Sequence, residues 1–274
     1  MRLAIITDEI AQDLTHALQV CRELEVNTVE LRSIDGHNIV FHDGNSLKRI
    51  KAALDQAGMQ VCCIASPFLK CHFWLNGSRS EFDSEETQWA IFERSLELAH
   101  LFQAPLVRTF SFWRLPNPAS VQEKLASLLV EATRRAEEAG VTLALENEHE
   151  CNLGTGAETA PLLQRIPSRA FGVIWDPGNE AKLGSQPYPH GYQCVRERVV
   201  HVHLKDVDHE QHFVKMGSGT IAYEDQLRAL AADGYTGVLS LETHYQHPTG
   251  GPELATCESL AALRTLCQQA EIEL

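Results

Sequence analysis

The chain has little positive charge, no paired cysteine motif and no long apolar run, and each shortage removes a class of function. Lys and Arg number 23 against 37 Asp and Glu, a formal net charge of −14. Non-specific nucleic-acid affinity comes mainly from neutralising phosphates with Lys and Arg, so no nucleic-acid partner is expected. The 8 cysteines, at 21, 62, 63, 71, 151, 194, 257 and 267, are scattered without a Cys-x-x-Cys pair, which argues against a thiolate zinc site and leaves most of them as core thiols. A disulfide framework is not expected in a chain of 274 residues without an export signal. Cys62 and Cys63, adjacent in an expected strand, should point to opposite faces. No stretch approaches the ~20 apolar residues of a membrane-spanning helix, and the apolar run after Met1 is too short for a secretory signal. The expectation is a soluble cytoplasmic protein with no membrane partner. The turn after the first strand, Ile6 to Ala11, lacks the Gly-rich phosphate loop that opens a doubly wound sheet.

What is present is a rhythm. Strand-like and helix-like segments alternate from end to end, the pattern of a parallel sheet with helical crossovers. Strands are expected near Leu3–Thr7, Thr28–Arg32, Gln60–Ala65, Leu106–Phe110, Thr142–Glu146, Gly172–Asp176, Val200–Lys205 and Val238–Thr243. Helices are expected at Leu14–Glu25, Ser46–Ala57, Glu85–Phe102, Ser120–Ala139, Ala160–Ile166, Tyr223–Asp233 and Pro252–Ala270. Gly58, Gly140 and Gly234 follow three of these helices, where a left-handed C-terminal cap is wanted. Eight βα units with 44% hydrophobic residues suit an α/β fold, a (β/α)8 TIM barrel spanning residues 1–274 as a single domain. The long stretch from Ser66 to Ser84, carrying Phe68, Phe73 and Trp74, is expected to form a lid or wall.

Four strands end in a side chain of the kind that binds metals. The segments run from Val141 to Glu146, Phe171 to Asp176, Val199 to His203 and Val238 to Glu242. In a closed parallel barrel the C-terminal strand ends converge on one mouth, so these residues can surround one ion. Alternation puts Ala144, Glu146 and Glu148 on one face, and likewise Ile174 with Asp176, His201 with His203 and Lys205, and Ser240 with Glu242 and His244. Glu146, Asp176, His203 and Glu242 are the expected metal ligands. Three carboxylates and one imidazole suit Mn²⁺ first and also accept Mg²⁺, Co²⁺ or Zn²⁺. Such an ion can hold two oxygens of a hydroxy-carbonyl substrate and stabilise the enediolate left when an adjacent C–H proton is removed. Glu146 and Glu242 are the expected acid/base pair, one on each side of the substrate.

Lys205 is expected either to offset developing charge or to support the carboxylates structurally. Glu148, His149, Asn179 and His244, just past the ligand strands, are the expected substrate contacts. His201, one layer deeper, is expected to be a hydrogen-bonded core or supporting histidine. Arg32, Lys70, Arg108 and Arg114 are open between anion binding and salt bridging. Gly217-Ser218-Gly219 is open between a phosphate cradle and a tight turn.

These residues resemble a known group, the xylose-isomerase-like barrels, which include sugar and sugar-phosphate isomerases and epimerases and the endonuclease IV-type AP endonucleases. The likeness rests on Ala144 to Asn147, Trp175 to Asn179, His201 to Asp206, Met216 to Gly219 and Leu239 to Glu242. The resemblance implies Glu146, Asp176, His203 and Glu242 as shared metal ligands, with Glu146 and Glu242 the acid/base pair of the epimerase branch. The endonuclease branch needs extra histidines on strands three and four and an Asp-x-His before the Gly-x-Gly, where this chain has Ala65 to Phe68, Arg108 to Ser111 and Gln211 to Phe213. A trinuclear zinc site is therefore not expected. The ketose 3-epimerase branch usually carries a His three residues after the strand-six Asp and an Arg six after the strand-seven His; here Asn179 and His209 stand there.

The expected function is that of a metal-dependent isomerase or epimerase of a sugar, sugar phosphate or related hydroxy-carbonyl compound. The partner is a small carbohydrate-like substrate, with a homo-oligomer compatible. Two alternatives remain: a metal-dependent dehydratase of a cyclic polyol or dehydroshikimate-like acid, in which the enediolate expels a β-hydroxyl, and a non-catalytic ligand sensor.

Overall fold

A computed structural model describes residues 1–74 and 80–274. Among them, β1 (Arg2–Ile6), β2 (Thr28–Leu31), β3 (Gln60–Ile64), β4 (Leu106–Thr109), β5 (Thr142–Glu146), β6 (Phe171–Trp175), β7 (Val199–Leu204) and β8 (Val238–Leu241) are rich in Val, Ile and Leu and almost wholly buried. Such strands need cover on both faces, which a parallel sheet wrapped by helices supplies. Each strand pairs in parallel with the next, and β8 pairs with β1, Arg2 opposite Val238, to close the barrel.

The helices α1 (Leu14–Glu23), α2 (Gly44–Ala57), α3 (Glu85–Phe102), α4 (Gln122–Glu138), α5 (Gly156–Arg165), α6 (Pro177–Lys182), α7 (Tyr223–Ala232) and α8 (Pro252–Gln269) run between or after these strands. In α4, Leu125, Leu128, Leu129, Ala132 and Ala136 fall at helical spacing and are buried, while the charged residues lie opposite. Each such buried leucine stabilises the fold by roughly 1.5–3 kcal/mol. Gly58, Gly140 and Gly234 adopt φ of 68°, 68° and 79°, the left-handed caps expected of them. No helix among the described residues is long and apolar enough to cross a membrane.

Three details depart from expectation. Helix α5 begins at Gly156 rather than Ala160, because Thr155 and Glu158 form a reciprocal capping box and Pro161 is accommodated inside the helix. Helix α6 was not expected: Asp176 caps it by accepting from Asn179 N, and Pro177 supplies its first turn. Cys62 and Cys63 do not divide between two faces. The register of β2 on β3 shifts between Val29 and Glu30, pairing Glu30 with Cys63, and both cysteines join the small interior cluster of Ala4, Leu106, Ala144, Ile174 and Val238.

That apolar cluster fills the barrel below a polar layer toward the C-terminal strand ends. Of the expected wall, Phe68 is buried against Phe92, and Phe73 and Trp74 pack on Phe112 with ring centroids 5.0 and 4.9 Å apart. Residues 75–79 of that stretch lie outside the described residues.

Candidate functional site

Glu146 ends β5, Asp176 follows β6, His203 lies near the end of β7 and Glu242 follows β8. Barrel closure brings these four together: one oxygen or nitrogen from each lies within 4.8 Å of those of the other three. All four side chains are buried. His203 Nδ1 is 3.3 Å from Glu242 Oε2 and 3.5 Å from Glu146 Oε1. Among the buried polar atoms without a hydrogen-bond partner are Asp176 Oδ2, His203 Nδ1 and Glu242 Oε2. Buried polar atoms rarely go without a hydrogen bond, so three in one cluster are atoms that a further group could engage.

Lys205 reaches into the same cluster. Its Nζ lies 2.8 Å from Asp176 Oδ2 and 2.6 Å from Glu242 Oε2, close enough for ion pairs but not aligned for hydrogen bonds. Of the two roles expected for it, support of the carboxylates is the one visible in its contacts. Asn179 donates from Nδ2 to Glu146 Oε1 at 3.1 Å, and its own Oδ1 meets His149 Nδ1 at 2.8 Å. His149 also approaches Glu148, which pairs with Lys70 at 2.7 Å. On the opposite rim, His244 Nε2 is 3.5 Å from Glu242 Oε1 and its ring is 5.2 Å from Phe213. Glu148, His149 and His244 thus line the mouth, while Asn179 is fully buried and braces Glu146.

The electrostatics follow from this crowding. Burial alone would raise the Glu146 carboxyl, but Arg108 and His203 beside it hold it below the ordinary range. Glu242 is held well below its usual value against the same burial by Lys205, His244 and His203. Asp176 goes the other way, up to about 6, because burial and the repulsion of Glu146 and Glu242 outweigh Lys205. His203 is raised well above an ordinary histidine by Glu30, Glu146 and Glu242, despite burial. A layer this rich in carboxylates calls for positive charge.

Several residues of the site were not singled out from the sequence. Glu30, in the middle of β2, is fully buried and accepts from both His201 and His203. Asp8 and Glu9 hold Arg32, which also reaches Glu242 Oε1 at 2.6 Å. Arg108 pairs with Glu146, and Arg114 with Glu158, so each of the four basic residues left open is engaged by a carboxylate. Asn147 ties the ends of β5 and β6 by donating to Asp176 O and accepting from Asp176 N, both at 2.8 Å. The turn at Gly217–Gly219 is filled from within: the N–H groups of both glycines donate to Asp206 Oδ2 at 2.9 Å. A carboxylate inside an apolar strand was the available signal for Glu30; it went unused because Glu30 stands in mid-strand rather than at a strand end.

A barrel closed this way with polar strand ends at one mouth defines the class. The family model described as xylose isomerase-like TIM barrel matches residues 18–266, and the chain belongs to that family. An uncharacterized protein of Methanocaldococcus jannaschii, MJ1311, is 29% identical over 121 residues, which are 42% of this chain and 41% of that protein. The sequence match therefore spans less than half of this curated relative. Among solved structures, a D-tagatose 3-epimerase-like protein aligns with a TM-score of 0.79 at 18% identity, over 99% of this chain and 98% of its own. The IOLI protein, crystallised with a zinc atom, aligns with a TM-score of 0.76 at 17% identity, over 99% and 98%. Likeness at such identities establishes the fold.

Proposed function

We propose that this protein is a divalent-metal-dependent epimerase or isomerase of a sugar, sugar phosphate or related hydroxy-carbonyl compound. The observation that carries the reading is the convergence of Glu146, Asp176, His203 and Glu242, three of them with a buried atom that takes part in no hydrogen bond. The donor set fits a hard or borderline divalent ion, Mn²⁺ first, and a zinc-bound neighbour of the same fold supports it. When bound, such an ion would supply Lewis acidity toward the substrate's oxygens.

The chain's own residues account for the proton transfer. Glu146 on β5 and Glu242 after β8 stand on either side of His203, and both are held ionised at neutral pH. Either can take a proton from the carbon next to a substrate carbonyl, the electron pair passing onto the carbonyl oxygen. Delivery of a proton to the opposite face of the same carbon, by the other carboxylate after it has taken one up from solvent, inverts that carbon; return of the abstracted proton by the first carboxylate to the neighbouring carbon isomerises the sugar. Lys205 keeps the two buried carboxylates Asp176 and Glu242 together. His149, Glu148 and His244 supply polar groups for hydroxyls at the mouth, with Phe213 between the two histidines as an apolar face.

The test combines metal analysis of the purified protein with solvent deuterium exchange on a panel of ketoses, aldoses and their phosphates. Deuterium should enter the carbon next to the carbonyl, and Glu146→Gln and Glu242→Gln should each slow this by ~10²-fold or more at saturating metal. Turnover of a panel member with no deuterium uptake and with both variants fully active sinks the proton-transfer reading. Loss of a β-hydroxyl as water would move the assignment to a dehydratase.

A further inference from the structure

Glu30 is a carboxylate with no route to solvent, and the proton chemistry proposed above makes no use of it. It is the third residue of β2, and its partners lie across the barrel interior. One oxygen, Oε2, accepts from His201 Nε2, His203 Nε2 and Ser240 Oγ, each at 3.0 Å. The two histidines are 171 and 173 residues away in sequence. Burying a carboxylate is expensive unless it is paired and hydrogen-bonded, and an apolar side chain of similar volume would fill the same space at less cost.

We propose that Glu30 is a positioning residue that fixes the orientation and tautomer of His203, leaving Nδ1 as the nitrogen offered to the metal; the inference rests on the metal reading given above. An imidazole has two nitrogens, and the one that donates a hydrogen bond decides which lone pair is free. Glu30 accepts from His203 Nε2, so Nε2 keeps its proton and Nδ1 is the nitrogen that gives one up when a metal binds. Nδ1 is then directed at the cluster, 3.3 Å from Glu242 Oε2 and 3.5 Å from Glu146 Oε1, with no hydrogen bond of its own. Without the Glu30 acceptor, the proton can move to Nδ1 and be shared with Glu146 or Glu242, which withdraws the lone pair. Ser240 and His201 engage Glu30 from other sides and are not among the four proposed ligands Glu146, Asp176, His203 and Glu242.

The experiment uses the full chain with zinc as the probe ion. Zinc affinity is measured by chelator competition for the wild type, Glu30→Gln and Ser240→Ala, alongside nitrogen-15 NMR of the imidazoles and a denaturation curve for each protein. The zinc-loaded wild type should show His203 with its proton on Nε2 and a metal-shifted Nδ1. Glu30→Gln should bind zinc ~10–100-fold more weakly while still folded, and Ser240→Ala should bind as the wild type does. A purely structural role would lower the denaturation midpoint without touching affinity or the imidazole signals. Wild-type protein that takes up no zinc overturns the metal reading and this one with it. Wild type that binds zinc while Glu30→Gln binds it equally well overturns the role of Glu30 alone. Should Glu30→Gln fail to fold, the wild-type spectrum still decides: a proton on Nδ1 with Nε2 coordinated is incompatible with the proposal.

Discussion

Arg108 Nη1 lies 3.0 Å from Glu146 Oε2, and with both side chains buried one of the two candidate acid/base carboxylates is half of an interior ion pair. The guanidinium also donates to Ala65 O and approaches Ser66 O, so it is anchored to the end of β3 while it holds a residue of β5. Arg108→Met should leave Glu146 without its cation and move its carboxyl upward. Breaking such a pair from one side costs about 3–5 kcal/mol, so urea unfolding should show a loss of that order. In a double-mutant cycle with Glu146→Gln, the two losses should fall short of additive; simple additivity would mean the pair is not coupled.

Lys205 has a different role, because the two carboxylates it joins are themselves proposed metal ligands. Lys205→Met should destabilise the metal-free protein by about 3 kcal/mol, since two buried acids then lose the cation that joins them. Added Mn²⁺ or Zn²⁺ should recover most of this loss, because an ion that binds only the folded state stabilises it in proportion to its occupancy. A thermal melt of the variant that is unmoved by saturating metal would contradict this.

Glu180, on α6, supplies the pH dependence. Burial raises its carboxyl to about 7, against the Gly156 N–H that donates to it. The folded protein therefore holds this proton where the unfolded chain, titrating near the ordinary value, has lost it. The contribution of Glu180 to stability should fall as pH rises from about 4.5 to about 7 and be constant on either side of that window. Glu180→Gln should remove that contribution, raising stability at pH 8 by an amount of the order of 2 kcal/mol while changing little at pH 4, as read from chemical denaturation at the two pH values.

On abasic duplex DNA at physiological salt we expect no incision. The net charge of −14 opposes phosphate binding, and the barrel-facing position on β4 is taken by Arg108 rather than a histidine. Robust cleavage that disappears on Glu146→Gln would reverse this expectation.

The alternation of short apolar strands with amphipathic helices was legible along the chain, and so were the barrel and its eight strands. The four converging residues were legible for a related reason: a polar side chain closing an apolar strand stands out, and in a parallel barrel every strand end reaches the same mouth. Helix α6 escaped notice because six residues carry no periodicity, only the Asp176 cap and Pro177. Strand pattern and capping are local properties, set by a residue and its near neighbours, so the sequence by itself determined the elements, their order and the metal-type residues at their ends. Which cation meets which carboxylate is not local. Arg32 on Glu242, Arg108 on Glu146 and Glu30 on His203 join residues 210, 38 and 173 apart, brought within hydrogen-bond reach by closure of the sheet and the register of each strand pair. Only the tertiary structure decided those pairings, because a shift of one residue along any strand turns an inward side chain outward and leaves its partner alone.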